Sequence, residues 1–92
     1  MEIFDSNKEF SVAVEYCARW YFTYYFYVAR TKILEKYPKA KVTGESIPGR
    51  TGCLEIIVNG KDKVFSKLNG DGFLTDEKIP KMLMNLKKIV EA

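Results

Sequence analysis

The chain of 92 residues contains two cysteines, Cys17 and Cys53, and no histidine. Without histidine there is no Ser-His-Asp or Cys-His catalysis and no His-ligated metal site. Two cysteines are too few for a zinc site, and these two are too far apart for a C-x-x-C pair. No bound metal or cofactor is therefore expected, and the chemistry that remains is that of a thiol. Cys17 lies where an apolar run (Val12-Ala-Val-Glu-Tyr16) passes directly into an aromatic one (Trp20-Tyr-Phe-Thr-Tyr-Tyr-Phe-Tyr27). The first reads as a strand and the second as a helix, which places the thiol at a helix N-terminus. Unpaired backbone N–H groups and the positive end of the helix dipole favour thiolate there, and Arg19 adds a cation. A thiol with a depressed pKa is a reactive one. The opposing reading is an inert, buried cysteine that packs as a small apolar residue.

The elements that would position Cys17 follow from periodicity. A first strand spans about 10–16, with Val12, Val14 and Tyr16 on one side and Ser11, Ala13 and Glu15 on the other. Small Ala13 suits a face packed under a helix. A helix over about 18–37 carries Phe22, Phe26, Ala29, Ile33 and Tyr37 as one apolar stripe, and Pro38 ends it. A short second strand (40–44) leads into a Gly/Pro/Ser-rich loop (45–52), then a dense apolar strand (53–58). Asn59-Gly60 signals a tight hairpin, a fourth strand spans about 63–68, and Asn69-Gly-Asp-Gly72 is a second turn. A last helix begins near Lys78, with Pro80 in its first turn. A helix joining strands one and two implies a right-handed parallel crossover. With the hairpin of strands three and four, the sum is a β-α-β-β-β-α chain: a mixed four-stranded sheet with helices packed on it, an α/β sandwich.

The totals bound the function. Ninety-two residues make one small domain, 1–92, with 1–8 a short polar lead-in. The N-terminal residues lack the apolar run of a secretory signal, and no stretch is long enough to span a membrane. A soluble cytoplasmic protein, without a membrane partner, is the expectation. The net charge of +3 is mild and argues weakly for nucleic acid. The aromatics also belong to a helix rather than to a sheet face of the RNA-binding kind, so no nucleic-acid partner is expected.

These residues resemble the selenoprotein W family, the thioredoxin-like Rdx domains. Tyr16-Cys17-Ala18-Arg19-Trp20 stands where that family carries C-x-x-U or C-x-x-C between strand one and helix one. Tyr37-Pro38 is similar to its helix-ending aromatic-proline pair, Thr51-Gly52-Cys53-Leu54-Glu55 to its T-G-x-x-E strand start, and Gly70-Asp71-Gly72-Phe73 to its G-D-G-F turn. The resemblance implies a thioredoxin-like two-layer fold and a redox role centred on Cys17. Ala18, Arg19, Trp20, Thr51, Gly52 and Cys53 would form the thiol's surroundings, with Thr51-Gly52 facing the substrate. It also implies that Cys53, at the start of strand three, lies beside the Cys17 segment, where it reads either as a partner for Cys17, if their Cα atoms come within about 7 Å, or as a buried structural cysteine of an apolar strand. Two departures stand out. Trp20 occupies the second redox position, and Tyr24 stands where many relatives carry a helix proline. With tryptophan at position 20 the dithiol cycle cannot close within the motif. Cys17 is then left to form mixed disulfides with glutathione or a protein thiol. The Gly70-Asp71-Gly72 turn matches neither a calcium nor a phosphate loop and reads as structural.

The apolar stripe of helix one does not use up its aromatics. At about 100° per residue, Trp20, Tyr24 and Tyr27 fall on the side opposite Phe22 and Phe26. Together with Tyr21 they read either as local packing or as an interface, with a protein partner or a second copy of the chain as its occupant. A redox-inactive interaction module using this surface is the alternative function.

Overall fold

The computed structural model describes residues 3–19 and 21–92. The elements are β1 (Ser11–Cys17), α1 (Phe22–Lys36), β2 (Lys41–Ile47), β3 (Leu54–Val58), β4 (Asp62–Ser66) and α2 (Ile79–Val90), with a wide helical turn at Lys67–Asp71. The sheet order is β2-β1-β3-β4. β1 runs parallel to β2 and antiparallel to β3, and β3 and β4 form an antiparallel hairpin. This is the expected mixed sheet and element order.

Alternation decides which face is covered. Val12, Val14, Leu54, Ile56 and Val58 are buried in one core with Phe22, Ala29, Ile33 and Tyr37 of the first helical segment and Met82, Leu83 and Leu86 of α2. Both helices thus cover the same side, giving two layers. Small Ala13 does not lie under α1, as its size suggested; its valine neighbours do. The residue whose smallness matters is Gly44, because a Cβ there would stand 2.8 Å from the Phe26 ring. Phe26 stacks on Tyr16 with centroids 5.7 Å apart, so β2 must pass beneath it without a side chain.

Asn59 and Gly60 both have left-handed φ (+53° and +72°), and Lys61 N–H closes their turn on Val58 O at 3.0 Å. That is the tight hairpin the Asn-Gly pair signals. The β3–β4 ladder shifts register between Ile56 and Ile57. Ile56 faces Phe65 and Ile57 faces Lys63, so Val64 is an extra, bulged residue. Both Val64 and Phe65 turn inward, and Asn85 of α2 donates its Nδ2 to Val64 O at 3.3 Å. Beyond Ser66 the chain leaves the sheet, so Lys67 and Leu68 belong to the turn rather than to β4. The lead-in is tied down as well. Phe4 packs edge-on against Tyr37, Lys87 Nζ donates to Ile3 O at 2.6 Å, and Asp5 N–H donates to Glu91 at 3.1 Å.

Candidate functional site

α1 starts at Phe22, four residues later than its pattern predicts. The N–H groups of Cys17 and Ala18 are already taken by sheet partners, Cys53 O and Ile47 O, each at 2.9 Å. The chain then turns, with Phe22 N–H on Arg19 O at 3.0 Å, before the helix begins. Cys17 is therefore the last residue of β1, not the cap of α1. Its sulfur draws on local donors instead of a helix end.

Those donors converge from two segments. The backbone N–H of Arg19 holds the Cys17 thiol below its ordinary value. Burial works against this, and the Gly52 N–H, the Thr51 hydroxyl and the Arg19 charge reinforce it. As a thiol, Cys17 donates to Gly49 O at a long 3.6 Å. The structure thus gathers Cys17, Arg19, Thr51, Gly52 and Cys53 in one place. Ala18 sits exposed beside them, its N–H held by β2. Cys17 has 0% and Cys53 5% of its surface exposed, and both are free thiols. Thr51 Oγ1 donates to Cys53 Sγ at 3.2 Å and accepts Cys53 N–H at 3.3 Å. Trp20 lies outside the described residues.

Two residues that carried no role in the sequence belong here. Lys67 sits in a lysine cluster that reads as a solvated face. In the fold its Nζ lies 4.9 Å from the Phe73 ring centroid and 6.0 Å from that of Phe22. It comes within 3.8 Å of where a side chain on Gly52 would begin, so a second cation stands at the thiol end of the sheet. No sequence pattern brings positions 22, 52, 67 and 73 together. Glu55 is the other. It is 2% exposed, and its carboxylate accepts from the Ser66 hydroxyl, Lys63 Nζ, Leu68 N–H and Leu54 N–H. Asp71 accepts Ser66 N–H at 2.8 Å. The Glu55 strand start and the Gly-Asp-Gly turn are therefore two halves of one hydrogen-bonded knot, joined through Ser66.

Tyr24 is 65% and Tyr27 58% exposed, beside Val28, Thr31, Lys32 and Asp76. Tyr21 is partly exposed and its ring meets Phe22 at 4.7 Å. Among the described residues no group of three or more His, Cys, Asp or Glu could hold a metal. None of the described helices is long and apolar enough to cross a membrane.

A mixed sheet with both helices on one face and a thiol at the end of the first strand defines the class: a thioredoxin-like domain. The chain belongs to the Rdx family, whose model matches residues 11–85. It is 38% identical over 79 residues to selenoprotein W of Danio rerio, covering 84% of this chain and 91% of that protein. Its fold is similar to the crystal structure of a selenoprotein W-related protein from Vibrio cholerae (TM-score 0.69, 15% identity, 89% of this chain and 98% of that one). A crystal structure from Bordetella parapertussis is also similar (TM-score 0.65, 16% identity, 86% and 95%). Membership in this family suggests a redox-related role.

Proposed function

We propose that the protein is a thiol redox protein whose working atom is Cys17 Sγ, with glutathione or protein thiols as its exchange partners. What supports this reading is the seat of Cys17 at the end of β1 against the 49–53 segment, with Sγ on Gly49 O at 3.6 Å, where the Arg19 and Gly52 N–H groups and the Thr51 hydroxyl hold the thiol below its ordinary value. All three stabilise a thiolate, and only the thiolate attacks a disulfide. The thiolate displaces one sulfur of R–S–S–R. A Cys17–S–S–R bond forms, R–S⁻ leaves, and water protonates it. Arg19 and Lys67 favour an anionic partner such as glutathione over a neutral one. Because Cys17 has no exposed surface, the 48–51 segment, whose Gly49 carbonyl accepts the thiol, must move aside for attack.

The test is the pH dependence of Cys17 alkylation, followed by mass spectrometry with Cys17→Ser as the blank. The expected midpoint lies below the free-thiol value of about 8.5. A midpoint at or above it would leave Cys17 a packing residue. The second reading, an interaction module, is favoured by the exposure of Tyr24 and Tyr27. Replacing both with serine should then change oligomer mass or partner capture while the far-UV spectrum stays the same; unaltered mass and capture would end that reading.

A further inference from the structure

Cys53 has no part in the reading above, yet the sheet sets it directly against Cys17. The β1–β3 register pairs Val12 with Val58 and Tyr16 with Leu54. Next beyond Tyr16 and Leu54 come Cys17 and Cys53. The hydrogen bonds agree. Asn59 N–H meets Ser11 O at 2.8 Å at one end of the ladder, and Cys17 N–H meets Cys53 O at 2.9 Å at the other. Directly opposed residues of an antiparallel ladder project to the same face, with Cα atoms about 5.5 Å apart when hydrogen-bonded. A disulfide spans Cα separations of about 4.4–6.8 Å. The register thus puts the two Cα atoms within a disulfide's span, and closing the bond requires the Cβ atoms of this hydrogen-bonded pair to draw together by about 1 Å.

Two further observations concern the sulfurs. The Thr51 hydroxyl donates to Cys53 Sγ at 3.2 Å, and it also helps to hold the Cys17 thiol below its ordinary value. Cys53 is buried but stands outside the contiguous apolar core to which Cys17, Leu54 and Ile56 belong. Its N–H bonds to Thr51 Oγ1, so the chain at Cys53 is held by the loop that covers the thiols.

We propose that Cys53 is the resolving thiol of this protein and that its oxidised form carries a cross-strand Cys17–Cys53 disulfide. The inference rests on Cys17 being the attacking thiol. Once Cys17–S–S–R has formed, Cys53 gives its proton to water and attacks Cys17 Sγ. The Cys17–Cys53 bond forms, the bond to R breaks, and R–S⁻ leaves and is protonated. The protein loses two electrons and two protons, and R–S–S–R becomes two R–SH. A dithiol or two glutathione molecules reverse the step. Position 20 is tryptophan and supplies no thiol; a partner from across the sheet closes the cycle in its place.

The experiment is incubation with oxidised glutathione, followed by intact mass and non-reducing tryptic digestion. Cleavage after Lys8 and Arg19, and after Arg50 and Lys61, releases the two cysteines on separate peptides. The expected result is a wild-type protein lighter by two hydrogens, with those peptides linked, and a Cys53→Ser protein holding one glutathione on Cys17. Should Cys53→Ser not fold, Cys53→Ala serves, and the linked peptide in the wild type depends on neither. A wild type with stable glutathione on Cys17 and no linked peptide overturns the role of Cys53 and leaves Cys17 as the reactive thiol. No adduct on any variant and no linked peptide overturns both.

Discussion

Glu55 and Cys17 are both buried, both ionisable and both held below their ordinary range, yet their surroundings differ in kind. Burial pushes the Glu55 carboxyl up; the Ser66 hydroxyl, Lys63 and Leu68 N–H outweigh it. Its donors come from β4 and the turn beyond, so they fasten one segment to another. Among the described residues no buried side-chain nitrogen or oxygen lacks a partner, and the Glu55 knot is complete. Cys17 also collects donors, but from a turn and from a loop flanked by Gly49 and Gly52 with φ of +92° and +66°. Its own proton meets only a distant carbonyl. A buried charge served by rigid elements works as a structural joint. A buried sulfur whose donors favour its charged form, under a loop, is the arrangement on which the proposed reactivity rests.

The sharpest break of this contrast is Glu55→Ala. It strands Leu68 N–H, the Ser66 hydroxyl and Lys63, and should lower stability by about 2–4 kcal/mol in urea unfolding. The Cys17 alkylation midpoint should stay in place. A loss under about 1 kcal/mol would mean that Glu55 is no joint.

Glu91 offers a third acid for comparison. Lys87, Tyr37 and Asp5 N–H hold it at about 2 against burial, and the Tyr37 hydroxyl donates to it at 2.5 Å. Unfolded, it titrates near 4.5. Between those values the unfolded chain binds more protons. Its contribution is therefore complete above pH 4.5 and is lost as pH falls toward 2. Glu91→Gln should flatten that acid limb of the stability curve and lower stability at neutral pH; an unchanged limb would assign the acid sensitivity to other carboxylates.

Thr51→Val tests the thiol side alone. The Cys17 midpoint should rise, and stability should fall by about 1–2 kcal/mol, because Cys53 N–H and Cys53 Sγ both lose their Thr51 partner. A large stability loss with a fixed midpoint would make Thr51 a structural joint like Glu55. The smallest expected effect is that of Lys67→Met. Exchange with an anionic disulfide should slow roughly threefold relative to a neutral one, and less so at high salt. Equal slowing of both would place the effect in packing against Phe22 and Phe73.

The fold was legible because its signals are local. Alternation in 12–16 and 54–58, Asn59-Gly60 and Pro38 each state their structure within a few residues. The start of α1 was not legible. Ala18 and Arg19 continue a helical-looking run, but the sheet pairing carries on through Cys17 and Ala18, whose N–H groups bond Cys53 O and Ile47 O, some thirty residues downstream. For the site, the thiol and the Thr51-Gly52-Cys53 segment could be read from their motifs. Lys67 could not, because its place depends on three distant segments meeting. Glu55 stood inside a quoted pattern with no role, since its partners come from the turn after β4.

The bulge at Val64 separates two allegiances within β4. Pairing with β3 proceeds from Ile56–Phe65 to Ile57–Lys63 without it, so the ladder does not need this residue. Helix α2 does, through the buried Val64 side chain and the bond from Asn85. A shorter chain lacking Val64 would keep an uninterrupted hairpin and lose the seat of its last helix. That one inserted residue couples the two layers at this edge of the molecule, and a length change of one there would do more harm than most substitutions.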